Sequence, residues 1–443
     1  MILKKIRQYL DGETKLLIKN SSWVLGGNMI RAIVMFAKGI IISRGLGVEL
    51  YGIFNLIAAF ALLIHQFFQF TLSTVLIKFG ADFLGEHSIE KFKSLVKAIL
   101  GLSLLLCLLS NLIIYASSEF FYQVFFDRPN LQLYIIVFGL AASTAFIDGL
   151  SLGLLRLFYK FKQNSVIVII NVLLELIIIS IVLYVYPNNF KYFLLAVVGS
   201  KLISSIVLNG STLILIGDKL KGFWKASLSH LSQEKRQIRS YIVTNSGSRI
   251  LKNLLNNGDV LLLGALTGPA PVAFYNIAKK LAQSILIVVD PITSSMFPQL
   301  SHLITQRKFN EVKVMLQKVT KMLLLPSLIF MAVLYWLRED IIQLAYGSEF
   351  VPAAEPFVYL AANAILAAIL FWNLPMLLSM GLVNFRFKGQ LAALIVGIAI
   401  TYLTVPSMGA SGVALGLLIA NGGSQLVFSL ATYIKLNHQT SSE

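Results

Sequence analysis

The sequence predicts an all-α polytopic membrane protein with about twelve transmembrane helices in two six-helix lobes around a central cavity. Composition, a series of apolar blocks of spanning length, and an echo between the two halves of the chain lead to this fold. Of 443 residues, 57% are hydrophobic and 13% are charged, whereas a soluble domain is roughly 45–50% apolar and about 25% charged. The mean hydropathy is +0.79. A hydrocarbon core about 30 Å thick takes roughly 20 apolar residues of helix rising about 1.5 Å each. Blocks of that kind run over 22–45, 51–77, 94–117, 131–155, 165–186, 191–216, 240–265, 271–297, 314–337, 355–379, 388–405 and 409–434. A membrane β-barrel would need short segments of alternating polarity, and LSLLLCLLSNLII does not alternate.

Lys and Arg collect in cytoplasmic loops and so set orientation. With twelve spans the loops fall into two alternating sets. One set, which includes the N-terminus and Lys435, holds 24 of these cations, and the other holds only Arg44, Arg128, Lys191 and Arg338. Both termini are therefore expected in the cytoplasm. The net charge of +17 is accounted for by orientation and anionic headgroups rather than by nucleic acid. The opening MILKKIRQYLDGETKLLIKN is basic and amphipathic, with no cleavage signal after it, so no signal peptide is expected to be removed. Cys107 is alone inside the third block, which leaves no disulfide framework and no thiol metal site.

Two loops echo each other. LGVELYGIFNLIA follows the first block and LTGPAPVAFYNIA follows the seventh, placing Gly47 on Gly268, Phe54 on Tyr275 and Asn55 on Asn276 at an offset of 221. A second echo sets Lys160-Phe161-Lys162 on Arg386-Phe387-Lys388 at an offset of 226, as if a few residues were inserted between the two registers. Six helices followed by six similar helices of the same orientation form a parallel repeat about an axis along the membrane normal. The expected division is an N-terminal lobe over 1–216, a cytoplasmic linker over 217–239 and a C-terminal lobe over 240–443.

Charged residues inside the spans point to the site. They include Arg31, Lys38, Lys201, Arg249, Lys252, Lys279 and Lys280, with Asp148, Glu175, Asp259 and Asp290. Each costs about 2.5–3.5 kcal/mol at the middle of a span, so they are expected to pair or to face a wet cavity. Arg31 and Lys38 are seven residues apart, on one helix face. At the offset of 221 Arg31 coincides with Lys252, and Lys38 with Asp259. The resulting expectation is a cavity lined by Arg31, Lys38, Arg249, Lys252 and Lys280 for an anionic headgroup. Lys38 and Asp259 would form a pair that either gates or braces. Lys279 and Lys280 are about 100° apart on their helix, so only one can face the axis squarely. Asp290, just before Pro291, fits either ion coupling or a kink, and Glu175 is the other coupling candidate.

No nucleotide-binding glycine loop, metal-ligand cluster or nucleophile–base arrangement is found. The chain is therefore not expected to be an enzyme, and no cofactor or metal is expected. The segments SRGLGVELYGIFNL and LIKFGADF, the KFK element and the LG-x-x-x-YG spacing resemble the Wzx-type polysaccharide flippases of the multidrug/oligosaccharidyl-lipid/polysaccharide exporter superfamily. The resemblance implies transport of an undecaprenyl-diphosphate-linked oligosaccharide, such as an O-antigen or capsule repeat unit in lipopolysaccharide and polysaccharide biosynthesis. It implies movement from the cytoplasmic to the outer leaflet of the bacterial inner membrane, with membrane lipid, a polysaccharide polymerase and chain-length proteins as partners. Arg31, Arg249, Lys252 and Lys280 fit the cationic cavity of that family. A lipid II flippase and a cation-coupled multidrug exporter of the same superfamily are the alternatives; the exporter would want acids where this chain carries bases. The charge pattern predicts that a reporter active only outside the cytoplasm, fused after residue 443, gives no signal in intact cells, whereas a strong signal would overturn the assigned orientation.

Overall fold

The computed structural model describes residues 12–68, 72–126, 131–287 and 289–440. Side chains are described there except at 12–21, 244–257, most positions between 287 and 298, and positions 383 and 440. Among the described residues the regular structure is helical. In chain order the helices are α1 Gly12–Phe68, α2 Leu72–Gly85, α3 Ile89–Phe125, α4 Leu131–Ala142, α5 Ala145–Leu157, α6 Phe161–Val185 and α7 Phe190–Ile216. Then follow α8 Lys235–Thr267, α9 Pro269–Ile287, α10 Asp290–Thr305, α11 Phe309–Tyr346, α12 Ala354–Ile369, α13 Asn373–Ser379, α14 Val383–Met408 and α15 Ala410–Thr440. Ten of the twelve expected spans coincide with described stretches long and apolar enough to cross a membrane, the first two merged in Ser22–Gly85. The seventh and eighth spans are helical too, in α8, α9 and α10. They carry several of the charged and amide side chains on which the site argument rests, and Gly258–Thr267 is the apolar part of α8.

Packing divides the chain into two compact units, Met1–Leu46 with Ile57–Gly258, and Gly47–Leu56 with Asp259–Glu443. In the first unit α2 packs on α3 and α5, and α7 packs on α4, α5 and α6. Val75, Leu76, Phe92, Leu95 and Leu155 are buried in its core. Small residues let helices approach, as is usual where lipid supplies no hydrophobic drive between them: Gly27 of α1 lies against Ser165 of α6, and Gly45 against Leu183. The outward face of α6 is apolar instead, with Tyr184 89% exposed and Ile177 and Ile181 more than half exposed, as a lipid-facing surface requires. The region between α7 and α8 forms three short 3-10 turns, Gly217–Leu220, Phe223–Lys225 and Leu228–Leu231. It is docked on α3, where the Lys97 ammonium donates to the carbonyls of Trp224 at 2.7 Å and Ala226 at 3.0 Å.

In the second unit α12 packs on α9, α11 and α15. Trp372 is fully buried and donates its indole N–H to Thr320 of α11 at 2.9 Å. Segment Gly47–Leu56 belongs here because glycines allow backbone contact: a Cβ on Gly52 would meet the Pro269 carbonyl oxygen at 2.0 Å, and one on Gly264 would meet Leu56 at 2.3 Å. Tyr51 is fully buried in the same place, edge-on to Phe350.

The backbone repeats itself through the two halves. Residues with positive φ recur in pairs: Gly47 with Gly268, His87 with Arg307, Tyr159 with Gly381, and Asn188 with Gly409, at offsets of 221, 220, 222 and 221. Non-glycine residues rarely take such conformations, so four turns matched at a near-constant offset show that the two halves follow the same backbone path. Asn55 donates to the Tyr51 carbonyl and Asn276 to the Val272 carbonyl, the same bond at the same offset. The fourth and tenth spans are both interrupted, between Ala142 and Ala145 and between Ile369 and Asn373. The second sequence echo is corrected, however. The residues that cap the starts of α6 and α14, Lys160 and Leu382, share their backbone conformation and are 222 apart. Arg386-Phe387-Lys388 therefore lies one helical turn beyond the counterpart of Lys160-Phe161-Lys162, and no insertion separates the registers. A cationic cluster at the membrane edge of a helix does its work from either turn, which is why the tripeptide resemblance misled.

Candidate functional site

The charges on the first, fifth and sixth spans meet. Lys38 of α1 donates to Glu175 of α6 at 2.7 Å, with both side chains 18% exposed. Lys201 of α7 feels the charges of Glu175, Lys38 and Asp148. Asp148 of α5 accepts from the Ser205 hydroxyl at 2.6 Å and from the Asn209 amide at 2.9 Å. Asn209 in turn accepts from Ser151 at 2.6 Å. Two lysines and two carboxylates thus form a neutral polar group inside the first unit, closed by hydroxyl and amide donors. Such closure is what a low-dielectric interior demands, because an unpaired buried charge costs far more than a paired one.

The expected pairing of Lys38 with Asp259 is corrected by these bonds. Glu175 takes Lys38, and Asp259 is held in the second unit by Lys279 at 2.6 Å. Asp259 also accepts from the Tyr275 hydroxyl and, at 2.8 Å, from the N–H of Val260. Positions related by a repeat need not touch, and each lobe instead neutralises its acids from its own neighbouring helices. Lys279, weighed in the sequence only against Lys280, and Tyr275, seen there only as a repeat match, are therefore the partners of Asp259. Their spacing of four places both on one face of α9, which was the available signal.

Two of the expected substrate-binding cations pair with no carboxylate among the described residues, one in each unit. Arg31 is exposed on α1, two turns from Lys38 on the same face, and forms no ion pair with the described residues. Lys280 donates to the Tyr51 hydroxyl at 2.9 Å and stands 5.3 Å from the centre of its ring. An ammonium has three donors, so Lys280 keeps two for another acceptor. Lys279 and Lys280, adjacent in sequence, thus do different things: the first neutralises an acid and the second leans on an aromatic ring. The side chains of Arg249, Lys252 and Asp290 lie outside the described residues; α8 carries the first two and α10 begins at the third.

Arg31 and Lys280 are thus cations without a described carboxylate partner, on α1 and α9. The polysaccharide biosynthesis protein family matches residues 17–304, well over half of the chain. The chain belongs to that family. Residues 246–403 also match the MatE family. A relative in Bacillus subtilis (strain 168), stage V sporulation protein B, is 22% identical over 426 residues, which cover 90% of this chain and 80% of that protein. Among solved structures, an inward-facing multidrug resistance MATE family transporter of the MOP superfamily superimposes with a TM-score of 0.73 at 14% identity. That match covers 93% of this chain and 96% of the other. The lipid II flippase MurJ in an inward closed conformation gives a TM-score of 0.66 at 16% identity, covering 95% and 91%. The chain is thus a multi-pass membrane protein that shares the two-lobed helical fold of these structures, as its composition and repeat led one to expect.

The Lys38–Glu175 bond is expected to be strongly coupled. Lys38→Met and Glu175→Leu should each lower the thermal midpoint of the purified protein, because removing one partner of a buried pair costs roughly 3–5 kcal/mol. The double variant should recover most of the loss, so that it costs less than either single variant. Simple additivity of the two single effects would show that the bond contributes nothing.

Proposed function

We propose that the chain is a flippase for an undecaprenyl-diphosphate-linked oligosaccharide, moving it from the cytoplasmic to the outer leaflet of the bacterial inner membrane by alternating access. Arg31 carries this reading. A cation without a carboxylate partner on a membrane-spanning helix needs an anion or water. A diphosphate supplies about two negative charges, and a guanidinium can take a phosphate bidentately. The match to the polysaccharide biosynthesis protein family supports the polysaccharide pathway, and the sign of Arg31 and Lys280 argues for an anion over a cationic drug, the remaining alternative that the MatE match keeps in view. Lys252, at the repeat position of Arg31, is proposed as the second phosphate ligand, with Arg249 and Lys280 contributing to the same positive field. Lys38 belongs to the charge-compensated group beside Glu175 rather than to the free cations.

Glu175 is the proposed coupling residue. A proton on Glu175 would remove the charge that holds Lys38 and would leave the Lys38–Lys201 neighbourhood with an uncompensated cation, a change that favours arrival of an anion. Asp259, bound by Lys279 and Tyr275, is proposed to brace α8 against α9 or to gate, and Asp290 is a second coupling candidate. Lipid II is the second reading of the substrate, because it presents the same diphosphate and a lipid II flippase shares the fold.

Complementation separates these readings. In a strain lacking its polysaccharide flippase the wild-type chain should restore surface polysaccharide, and Arg31→Ala and Lys252→Ala, expressed at normal levels, should not, with Arg31→Lys keeping part of the activity. The same activity should fail when proton and sodium gradients are both collapsed. Full restoration by both alanine variants would make the cations structural, and rescue only of cells depleted of their lipid II flippase would assign the second substrate.

A further inference from the structure

Where the segment after α7 folds back on α3 there is a cavity of about 450 Å3, within the range of about 300–1,000 Å3 typical of small-ligand sites. Its apolar walls are Ala98 and Leu102 of α3, Leu228 and Leu231 of the last 3-10 turn, and Ile238 and Ile242 of α8. Two more wall residues are cations, Lys235 and Arg239. They are four residues apart and so share one face of α8, and both are exposed.

Three acids of this end pair with other cations. Glu90 pairs with Lys93 at 3.0 Å, Asp218 with Lys221 at 2.7 Å, and Glu234 with Lys91 at 2.6 Å. The Glu234 carboxyl is held below its usual range by that hydrogen bond from Lys91, so the residue next to Lys235 stays with a different cation. Lys97 is used by the carbonyls of Trp224 and Ala226. Among the described residues no carboxylate pairs with Lys235 or Arg239, so the cavity combines an apolar interior with a dicationic rim.

The charge pattern puts the cytoplasmic start of the third apolar block, with Lys91, Lys93 and Lys97, at the headgroup level, and Leu102 lies five residues beyond Lys97, about 7.5 Å deeper along α3. That interval matches the boundary between headgroups and acyl chains, where amphipathic groups bury about 5–10 Å. We propose that this cavity binds an anionic glycerophospholipid of the membrane in which the chain sits, with an acyl chain between α3 and the Leu228–Leu231 turn and the phosphate between Lys235 and Arg239. A zwitterionic lipid would bring its own cation to the rim and gain less there. The bound lipid fills the space between α3 and the start of α8, tying the junction between the halves to the bilayer. The assignment is independent of what the protein transports.

The test is native mass spectrometry of the full-length protein released from nanodiscs of equal phosphatidylglycerol and phosphatidylcholine. Wild type should retain phosphatidylglycerol at least tenfold over phosphatidylcholine. K235E with R239E should abolish the preference, and A98F, which fills the cavity and leaves both cations in place, should lose the adduct. L228W blocks the same space from an exposed position and should agree with A98F. Equal retention of the two lipids by wild type, or undiminished phosphatidylglycerol in both blocking variants, would overturn the proposal. Displacement of phosphatidylglycerol by an equal amount of undecaprenyl phosphate would also overturn it, by making the cavity a carrier-lipid site.

Discussion

The cost of an ionised side chain in hydrocarbon governs this molecule. Each charge within a span must find an opposite charge, a set of hydrogen-bond donors, or water. The two units meet that demand separately. In the first, Glu175 takes Lys38 while Ser205 and Asn209 satisfy Asp148; in the second, Lys279 and Tyr275 satisfy Asp259. Once the acids are paired in this way, the cations left over have a chemical purpose to be found. Among the expected site cations, Arg31 in one unit and Lys280 in the other pair with no described carboxylate, and the proposal of anionic cargo rests on their sign.

The same economy shapes the backbone. Segment Gly47–Leu56 packs with the second unit because Gly52 and Gly264 leave room for the Pro269 carbonyl and for Leu56. Its aromatic residue, Tyr51, supplies the hydroxyl and ring that receive Lys280. A cation in the second half of the chain thus depends on a residue from the loop after the first span, so sequence distance says little about which groups act together.

The architecture was legible in the sequence because hydropathy alone demands spans about 20 residues long, and because turns with positive φ leave a mark: Gly47 and Gly268 sat in the loop pair whose similarity aligned in the register that the backbone follows. The equivalent turns at His87 and Arg307, and at Asn188 and Gly409, share no side-chain chemistry and could be recognised only from backbone angles. Pairing was harder to read. The repeat aligned Lys38 with Asp259, yet a repeat specifies equivalent positions rather than contacts, and the partner of Lys38 lies 137 residues away on α6. Adjacent Lys279 and Lys280 were indistinguishable in sequence; only their orientation on α9 separates a counter-ion to Asp259 from a donor to Tyr51.

The central claim is that residual positive charge on the spans serves an anionic headgroup. It is tested most directly by calorimetric titration of the purified protein, in nanodiscs of neutral lipid, with a soluble short-chain prenyl diphosphate and, separately, with a lipophilic organic cation such as tetraphenylphosphonium. The account predicts saturable binding of the diphosphate, at least tenfold weaker in Arg31→Ala, and no binding of the cation. Saturable binding of the cation together with diphosphate binding that is absent, or indifferent to Arg31, would contradict it.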